Sequence, residues 1–192
     1  MTGGMYIVEL LRLYIEDNYN ELDESWIIQP NSLKITELSE FLELFQSLQV
    51  DSEKDFQNLF KRSQNKLINL LSLLDKNQSQ DLYKFSTFIV DRSASLLAAS
   101  IFSVGWRVFS AKNQVVKVGL AGELIENNYC NYKERLKHFL PPIVDHFVKF
   151  TPKPIFEFLI MQNSSTIGSC LINCAEFIRR IESKIEINLL KG

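Results

Sequence analysis

Two glycines next to an acidic side chain form a distinctive chemical pattern in this sequence. Gly119 and Gly122 are three residues apart, and Glu123 follows them directly. Residues 115–118, which precede them, are mostly β-branched. Because glycine has no Cβ, it adopts positive φ without a clash and lets the backbone approach a ligand closely. The pattern predicts a β-hairpin over residues 115–125, made of a strand, a tight turn and a returning strand.

Glu9 is the carboxylate of most interest near the N-terminus. It follows Gly4-Met5-Tyr6 and lies three residues before Arg12 on a predicted helix. Side chains three residues apart share one helix face. On spacing alone, we therefore favour a solvated Glu9 carboxylate that is ion-paired with Arg12.

The cysteines and histidines give weak signals. Cys170 and Cys174 are four residues apart on a predicted helix, but no histidine or second cysteine pair is near, so small buried side chains are favoured. His138 and His146 are eight residues apart without a third ligand, and we expect them at the surface or at helix ends. We predict no metal site. The low, odd number of cysteines, with Cys130 as the third, indicates a reducing compartment, and we expect the cytoplasm.

Length and composition are those of a globular protein. The 192 residues carry a formal net charge of −2, with 46% hydrophobic and 23% charged residues. Because lysine and arginine are scattered without a surplus, we expect no nucleic-acid partner. We find no apolar run near the roughly 18 residues that span a membrane, so no membrane span is predicted. The N-terminus also lacks the pattern of a signal peptide.

Hydrophobic spacing predicts helices over most of the first 111 residues. The first helix covers residues 4–18, and a second starts near Leu33. A third is predicted over residues 51–76, and a polar break over residues 77–80 ends it. A long helix then covers about residues 81–111. Its middle is rich in small side chains, so we expect it to be buried against a sheet, with Gly105 allowing close packing.

The remaining residues are predicted to alternate between strands and helices. After the hairpin, a helix over residues 132–140 is expected to end at Pro141-Pro142, and the helical pattern resumes at residues 143–149. Residues 155–161 are a candidate for a buried strand, and residues 167–184 for a final helix. Strands separated by helices indicate an α/β layer arrangement.

Taken together, four segments resemble the C-terminal part of the hexokinase family, the ATP-dependent kinases of six-carbon sugars. Residues 3–12 resemble its small-Gly-Met-Tyr-Leu-Gly-Glu-Ile-Val-Arg segment, and residues 93–99 its Arg-Ala-Ala-x-Leu helix. Residues 115–123 resemble the Val-Thr-Val-Gly-Val-Asp-Gly-Ser/Thr hairpin, which binds adenosine in the family. Residues 158–171 resemble Phe-Leu-x-x-Glu-Asp-Gly-Ser-Gly-x-Gly-Ala-Ala-Leu. The segments occur in the family's order and span nearly the whole chain.

The resemblance implies a fold and an activity. The fold would be α/β, the C-terminal half of an actin-like, ribonuclease-H-like ATPase, with a mixed sheet and a large helical share. Residues 1–192 would form a single partial domain. The activity would be phosphorylation of glucose or a related hexose in glycolysis, with ATP and Mg²⁺, and the partner would be the N-terminal half of the kinase.

The resemblance also assigns roles to individual residues. Glu9 would bind sugar hydroxyls, for which an ionised carboxylate is a strong acceptor. The nucleotide contacts would come from six positions: Thr36, Gly119, Gly122, Glu123, Ser165 and Gly168. We therefore expect Glu9, the bend at residues 119–122 and Gly168 to face one crevice that holds sugar and nucleotide.

Several positions depart from the family pattern. No Asp-x-Gly-Gly-Thr turn is present, and we expect the catalytic aspartate to lie in a preceding half, so that this chain alone is inactive. Val8 stands where the family has glycine, Ala121 replaces an aspartate, and residues 164–166 replace a Gly-Ser-Gly loop. Glu123 replaces a small hydroxyl residue. A carboxylate about 4 Å from a phosphate oxygen costs on the order of 4 kcal/mol at an effective dielectric near 20, so ATP binding should be weakened.

Two alternatives to a working kinase half remain open. One is a degenerate, non-catalytic binding or regulatory module that keeps the hexokinase-like fold, and the residues at positions 123 and 164–166 favour it. The other is an unrelated helical interaction protein. A structure without a mixed sheet containing residues 115–118 and 155–160 would select the last.

Overall fold

The computed structural model describes residues 4–19, 28–47, 64–109, 115–149 and 152–161. Within these ranges lie six α-helices, a short 3₁₀ helix and a two-stranded sheet, in agreement with the predicted α/β class. In chain order the elements are α1 (Gly4–Asn18), α2 (Ile35–Ser47), α3 (Lys66–Leu71), α4 (Lys76–Val108), β1 (Val115–Leu120), α5 (Glu123–Glu126), the 3₁₀ helix (Tyr129–Asn131), α6 (Tyr132–Phe147) and β2 (Ile155–Ile160).

The first two helices follow their apolar spacing. Helix α1 has the predicted bounds and buries a stripe at Ile7, Leu11 and Ile15. Helix α2 begins two residues after the predicted start at Leu33 and buries Phe41 with its neighbours. Both stripes join one hydrophobic core. Periodicity therefore identified these helices and the faces that they bury.

The break before the long helix lies earlier than predicted. Helix α3 ends at Leu71, and α4 starts at Lys76, so the polar residues 77–80 form the first turn of α4. The cause is a capping box: Gln78 N donates to Asp75 Oδ1 at 2.8 Å, and Asp75 N donates to Gln78 Oε1 at 3.0 Å. Such reciprocal bonds satisfy free N–H groups at a helix start. The beginning of the predicted helix over residues 51–76 lies outside the described residues.

Helix α4 packs mainly against α6 rather than against the sheet, which corrects the prediction for its middle. Ser93 Oγ and Tyr132 Oη share a buried hydrogen bond of 2.8 Å, and Arg135 forms an ion pair with Asp91. The sheet reaches α4 near Gly105, where an added Cβ would lie 2.4 Å from Phe156 Cε1. The predicted close packing at this glycine is therefore present.

The predicted hairpin is wrong. Strand β1 pairs in parallel with β2, in a register that runs from Val115 opposite Ile155 to Leu120 opposite Ile160. No returning strand follows β1, because the chain enters α5 at Glu123 and buries the apolar side chains of that helix in the core. The described sheet is therefore parallel, not mixed. Parallel strands need a crossover connection, which α5 and α6 provide here.

Two further predictions are corrected in this crossover unit. Pro141 and Pro142 lie inside α6, which is one helix rather than two. Both prolines are exposed, so the carbonyls that lose their helical donors lie on a solvated face, while buried Leu140 and Val144 hold the helix to the core. Strand β2 is less buried than predicted, since Ile155 is 54% exposed.

One described helix meets a length and composition criterion for crossing a membrane. In α4, residues Lys76–Arg107 are long and apolar enough, and one third of the most apolar window is buried in the protein. Thus the prediction of no membrane-length apolar run does not hold for α4. A single helix of this kind is weak evidence for a membrane span, because core helices of globular proteins meet the same criterion. Leu82, Val90 and Ala98 of α4 belong to the core here.

Candidate functional site

A cavity of about 610 Å³ lies where the first turns of α1 and α2 meet the carboxyl end of β1. We call it the α1–β1 cavity. Its lining residues come from segments that are far apart in the sequence: Gly4, Met5, Val8, Leu33, Lys34, Ile35, Thr36, Leu97, Gly119, Leu120, Ala121, Gly122, Glu123, Leu124, Ile125 and Tyr132. Its size falls in the range of ligand pockets, roughly 300–1,000 Å³.

One wall of the cavity is made by two helix starts in close contact. A Cβ added to Gly4 would lie 3.4 Å from Ile35 Cβ, so the first turns of α1 and α2 lie side by side. This contact brings Met5 and Thr36 to the same cavity. Glycine at position 4 thus lets backbone form part of the wall.

The turn that leaves β1 forms another part of the lining. Gly122 has a φ of +112°, a backbone conformation in which a residue with a side chain would be strained. Its N–H donates to Glu126 Oε1 at 3.0 Å. Gly119 lies within the strand, and a Cβ there would approach Met161 Sδ to 2.9 Å. Sequence reasoning identified both glycines. Of these two, only Gly122 has a positive φ, and it lies where the chain passes from β1 into α5.

Part of the lining consists of buried, mostly apolar side chains, which we call the floor of the cavity. Val8 and Leu33 are buried, and Tyr132 is fully buried with its hydroxyl bonded to Ser93 Oγ. Burial raises the pKa of the Tyr132 phenol, so this group stays protonated. Sequence reasoning missed Tyr132. The indirect signal in the sequence was that Tyr132 is a large side chain at the start of the helix predicted over residues 132–140.

The charged lining residues among those described are Lys34 and Glu123. They bring one charge of each sign to the cavity. Glu123 is the first residue of α5, where a carboxylate is favoured by the unpaired N–H groups of a helix start. With an apolar floor and a polar, mixed-charge rim, the cavity can hold a flat ring that carries a polar or charged group.

Glu9 does not belong to the lining of this cavity. Its Oε1 accepts from Arg12 Nε at 2.8 Å, and its Oε2 accepts from Asn31 N at 3.2 Å. The hydrogen bond from Arg12 lowers the pKa of the Glu9 carboxyl, which is therefore ionised at neutral pH. Arg12 is 8% exposed and also bonds Glu16. The ion pair favoured by spacing is present, while the Glu9 side chain keeps 28% exposure.

The predicted site residues are therefore distributed as follows. Thr36, Gly119, Gly122 and Glu123 meet at the α1–β1 cavity, and Glu9 lies one residue beyond Val8, which lines it. Ser165, Gly168 and the altered loop at residues 164–166 lie outside the described residues. The hypothesis of one crevice for all of them remains a prediction.

The cysteines, histidines and acidic residues were the candidates for a metal or nucleophilic role. In the described ranges, no three His, Cys, Asp or Glu side chains come close enough to hold a metal ion. Cys130 is buried, which raises the pKa of its thiol to about 12. His138 and His146 are exposed on α6, while Cys170 and Cys174 lie beyond the described ranges.

A known protein family matches most of the chain. A family model described as hexokinase matches residues 1–175, which include every lining residue of the α1–β1 cavity. No curated protein matches the chain. The match covers well over half of the 192 residues.

Proposed function

Because the chain belongs to the hexokinase family, we propose that the α1–β1 cavity is the nucleotide site of an ATP:hexose phosphotransferase. One observation carries the proposal: Gly4, Thr36 and Gly122, from three distant segments, line a single cavity. Two of these segments were aligned with the family's nucleotide-contacting regions on sequence grounds. The parallel unit of β1, α6 and β2 is compatible with an actin-like, ribonuclease-H-like ATPase fold, which we propose for the chain.

The chemistry of the cavity supports ATP as its ligand. The apolar floor at Val8, Leu33 and Leu97 suits the faces of a purine ring. Lys34 supplies a positive charge for a phosphate group. Mg²⁺ commonly keeps several waters and binds through substrate phosphates, so it would enter this cavity bound to the phosphates of ATP.

We assign the hexose to the side of α1 that carries Glu9. Both Glu9 carboxylate oxygens already accept one protein hydrogen bond. A carboxylate has further acceptor sites, and a partly exposed, ionised one can accept from sugar hydroxyls. Arg12 fixes the orientation of Glu9, so the sugar would meet a positioned acceptor rather than a mobile one.

We propose that these 192 residues bind substrates but do not complete the catalytic machinery. Phosphoryl transfer depends on positioning and on stabilisation of negative charge. The sequence contains no Asp-x-Gly-Gly-Thr turn, and the family's proton-accepting aspartate has no counterpart here. Glucose phosphorylation would need that aspartate from residues outside this sequence, which is the division expected for the C-terminal half of the kinase.

A second function is favoured by one observation. Glu123 lines the cavity and lies at the start of α5, in the region where ATP phosphates would add negative charge. This carboxylate favours a hexokinase-like module that has lost nucleotide binding and serves in regulation or in binding another protein. The two functions differ in whether ATP still binds.

The test is a calorimetric titration of the 192-residue chain with ATP and Mg²⁺, combined with a glucose phosphorylation assay. We expect weak but saturable ATP binding and no turnover. Absence of ATP binding would select the non-catalytic module. Robust turnover by the chain alone would contradict the division of the machinery proposed above.

A further inference from the structure

A second cavity, of about 530 Å³, lies between α6 and β2 and shares no lining residue with the α1–β1 cavity. We call it the α6–β2 groove. Its lining is mainly apolar and carries charged residues at two places. The lining residues are Lys137, Leu140, Pro141, Val144, Asp145, Lys153, Pro154, Phe156 and Phe158. Its size again falls within the usual range for small-molecule sites.

The α6 side of the groove is one continuous stripe of that helix. Its residues follow Lys137 at intervals of three and four, the spacing that places side chains along one helix face. Leu140 and Val144 are buried on this stripe. On the other side, Phe156 and Phe158 are partly buried and pack on the core with their remaining surface open to the groove. A ligand in the groove would thus be covered by apolar side chains on both sides.

The charges at the two ends of the stripe differ. At one end, Lys153 Nζ is bonded to Asp145 Oδ1 at 2.5 Å, so these two charges neutralise each other. At the other end, Lys137 has no acidic partner within ion-pair distance in the part of the chain that the structure describes. Glu134, three residues earlier on the same helix, accepts from Asn128 Nδ2 at 2.8 Å and interacts with Lys137 electrostatically without a direct ion pair. The groove therefore carries, at a defined end, one positive charge that is outside any ion pair among the described residues.

From this charge and the apolar walls, we propose that the α6–β2 groove binds an amphipathic monocarboxylate, such as a medium-chain fatty acid. The carboxylate pairs with Lys137, and the hydrocarbon body lies along Leu140 and Val144 against the two phenylalanines. The Lys153–Asp145 pair closes the far end without attracting a second anion. The proposal is independent of the nucleotide site, since the two cavities have separate linings.

Decanoate, below its micelle concentration, is the probe for a calorimetric titration of the full chain. We expect saturable one-to-one binding. Lys137→Gln should weaken it about tenfold, because a hydrogen bond to a charged group is lost. The control is Lys117→Gln, which removes an exposed lysine of β1 that does not line the groove, and it should leave binding unchanged. Both lysines are exposed, so both variants should fold, which circular dichroism can verify.

A neutral probe separates charge recognition from adventitious apolar binding. Methyl decanoate has the same hydrocarbon body without the carboxylate, and it should bind about tenfold more weakly than decanoate. Equal binding of ester and acid would overturn the proposal, as would equal decanoate affinity in Lys137→Gln and the unsubstituted chain. Absence of saturable decanoate binding would also overturn it.

Discussion

Glu123 is the residue on which the two candidate functions diverge. It lies at the rim of the α1–β1 cavity, directly after Gly122, whose positive φ sets the direction in which the chain leaves β1. Likeness to the family predicted a hairpin bend at residues 119–122 with Glu123 directly after it, whereas Glu123 is the first residue of α5. The element that follows Gly122 could not be predicted from these residues, because Leu124 and Ile125 suit a strand or a buried helix turn equally well.

Replacing the Glu123 carboxylate tests whether it limits nucleotide affinity. Glu123→Thr restores the small hydroxyl residue of the family pattern and removes a negative charge beside the cavity. We expect ATP to bind about tenfold more tightly, an effect smaller than the unscreened Coulomb energy because Glu123 is exposed to solvent.

Glu157→Thr is the matched control for this measurement. It removes an exposed carboxylate of β2 that does not line the α1–β1 cavity, and calorimetry should show unchanged ATP affinity. If Glu123→Thr leaves ATP affinity unchanged or lowers it, then Glu123 is not the residue that weakens binding.

The elements show which kinds of contact a local pattern can predict. Helix α1 has the bounds that its apolar spacing predicted, since a helix buries a stripe that is already periodic in the sequence. The partner of β1 could not be found in the same way. It is β2, more than thirty residues later, and the neighbouring glycines favoured a local hairpin instead. Pairing between distant strands depends on the crossover unit, which no short window of sequence contains.

Gly105 gives a test of the contact between α4 and the sheet. Gly105→Val would place a side chain within the space of the Phe156 ring and close to Val116 Cγ1, which is 3.3 Å from the position of an added Cβ. Overpacking of this kind costs about 2 kcal/mol. We expect urea unfolding to show that loss in the free energy of unfolding.

The control for the Gly105 variant uses the same new side chain at a different place on the same helix. Ser103 of α4 is exposed, so Ser103→Val changes helix propensity without meeting the sheet, and its effect should stay within about 0.5 kcal/mol. Equal unfolding free energies for the two variants would mean that the sheet does not pack on Gly105 as described.

At the scale of the whole molecule, distant segments form the cavity, and local sequence could not predict its shape. Gly4, Thr36 and Gly122 were identified through likeness to a family, whereas Tyr132 and Lys34 became visible only through their position at the cavity. Glu9 shows the reverse case, because its contact with Arg12 follows from helix spacing alone. Likeness to the family therefore pointed to residues that line this cavity but not to their arrangement, and their role in nucleotide binding stays a prediction.

The most direct measurement of the nucleotide site is photo-cross-linking with 8-azido-ATP, followed by mass spectrometry of the labelled peptides. We predict labelling of residues that line the α1–β1 cavity, in the ranges 4–8, 33–36 and 119–125, and its suppression by excess ATP. Suppressible labelling confined to the α6–β2 groove or to other surfaces, with none at the α1–β1 cavity, would contradict the assignment.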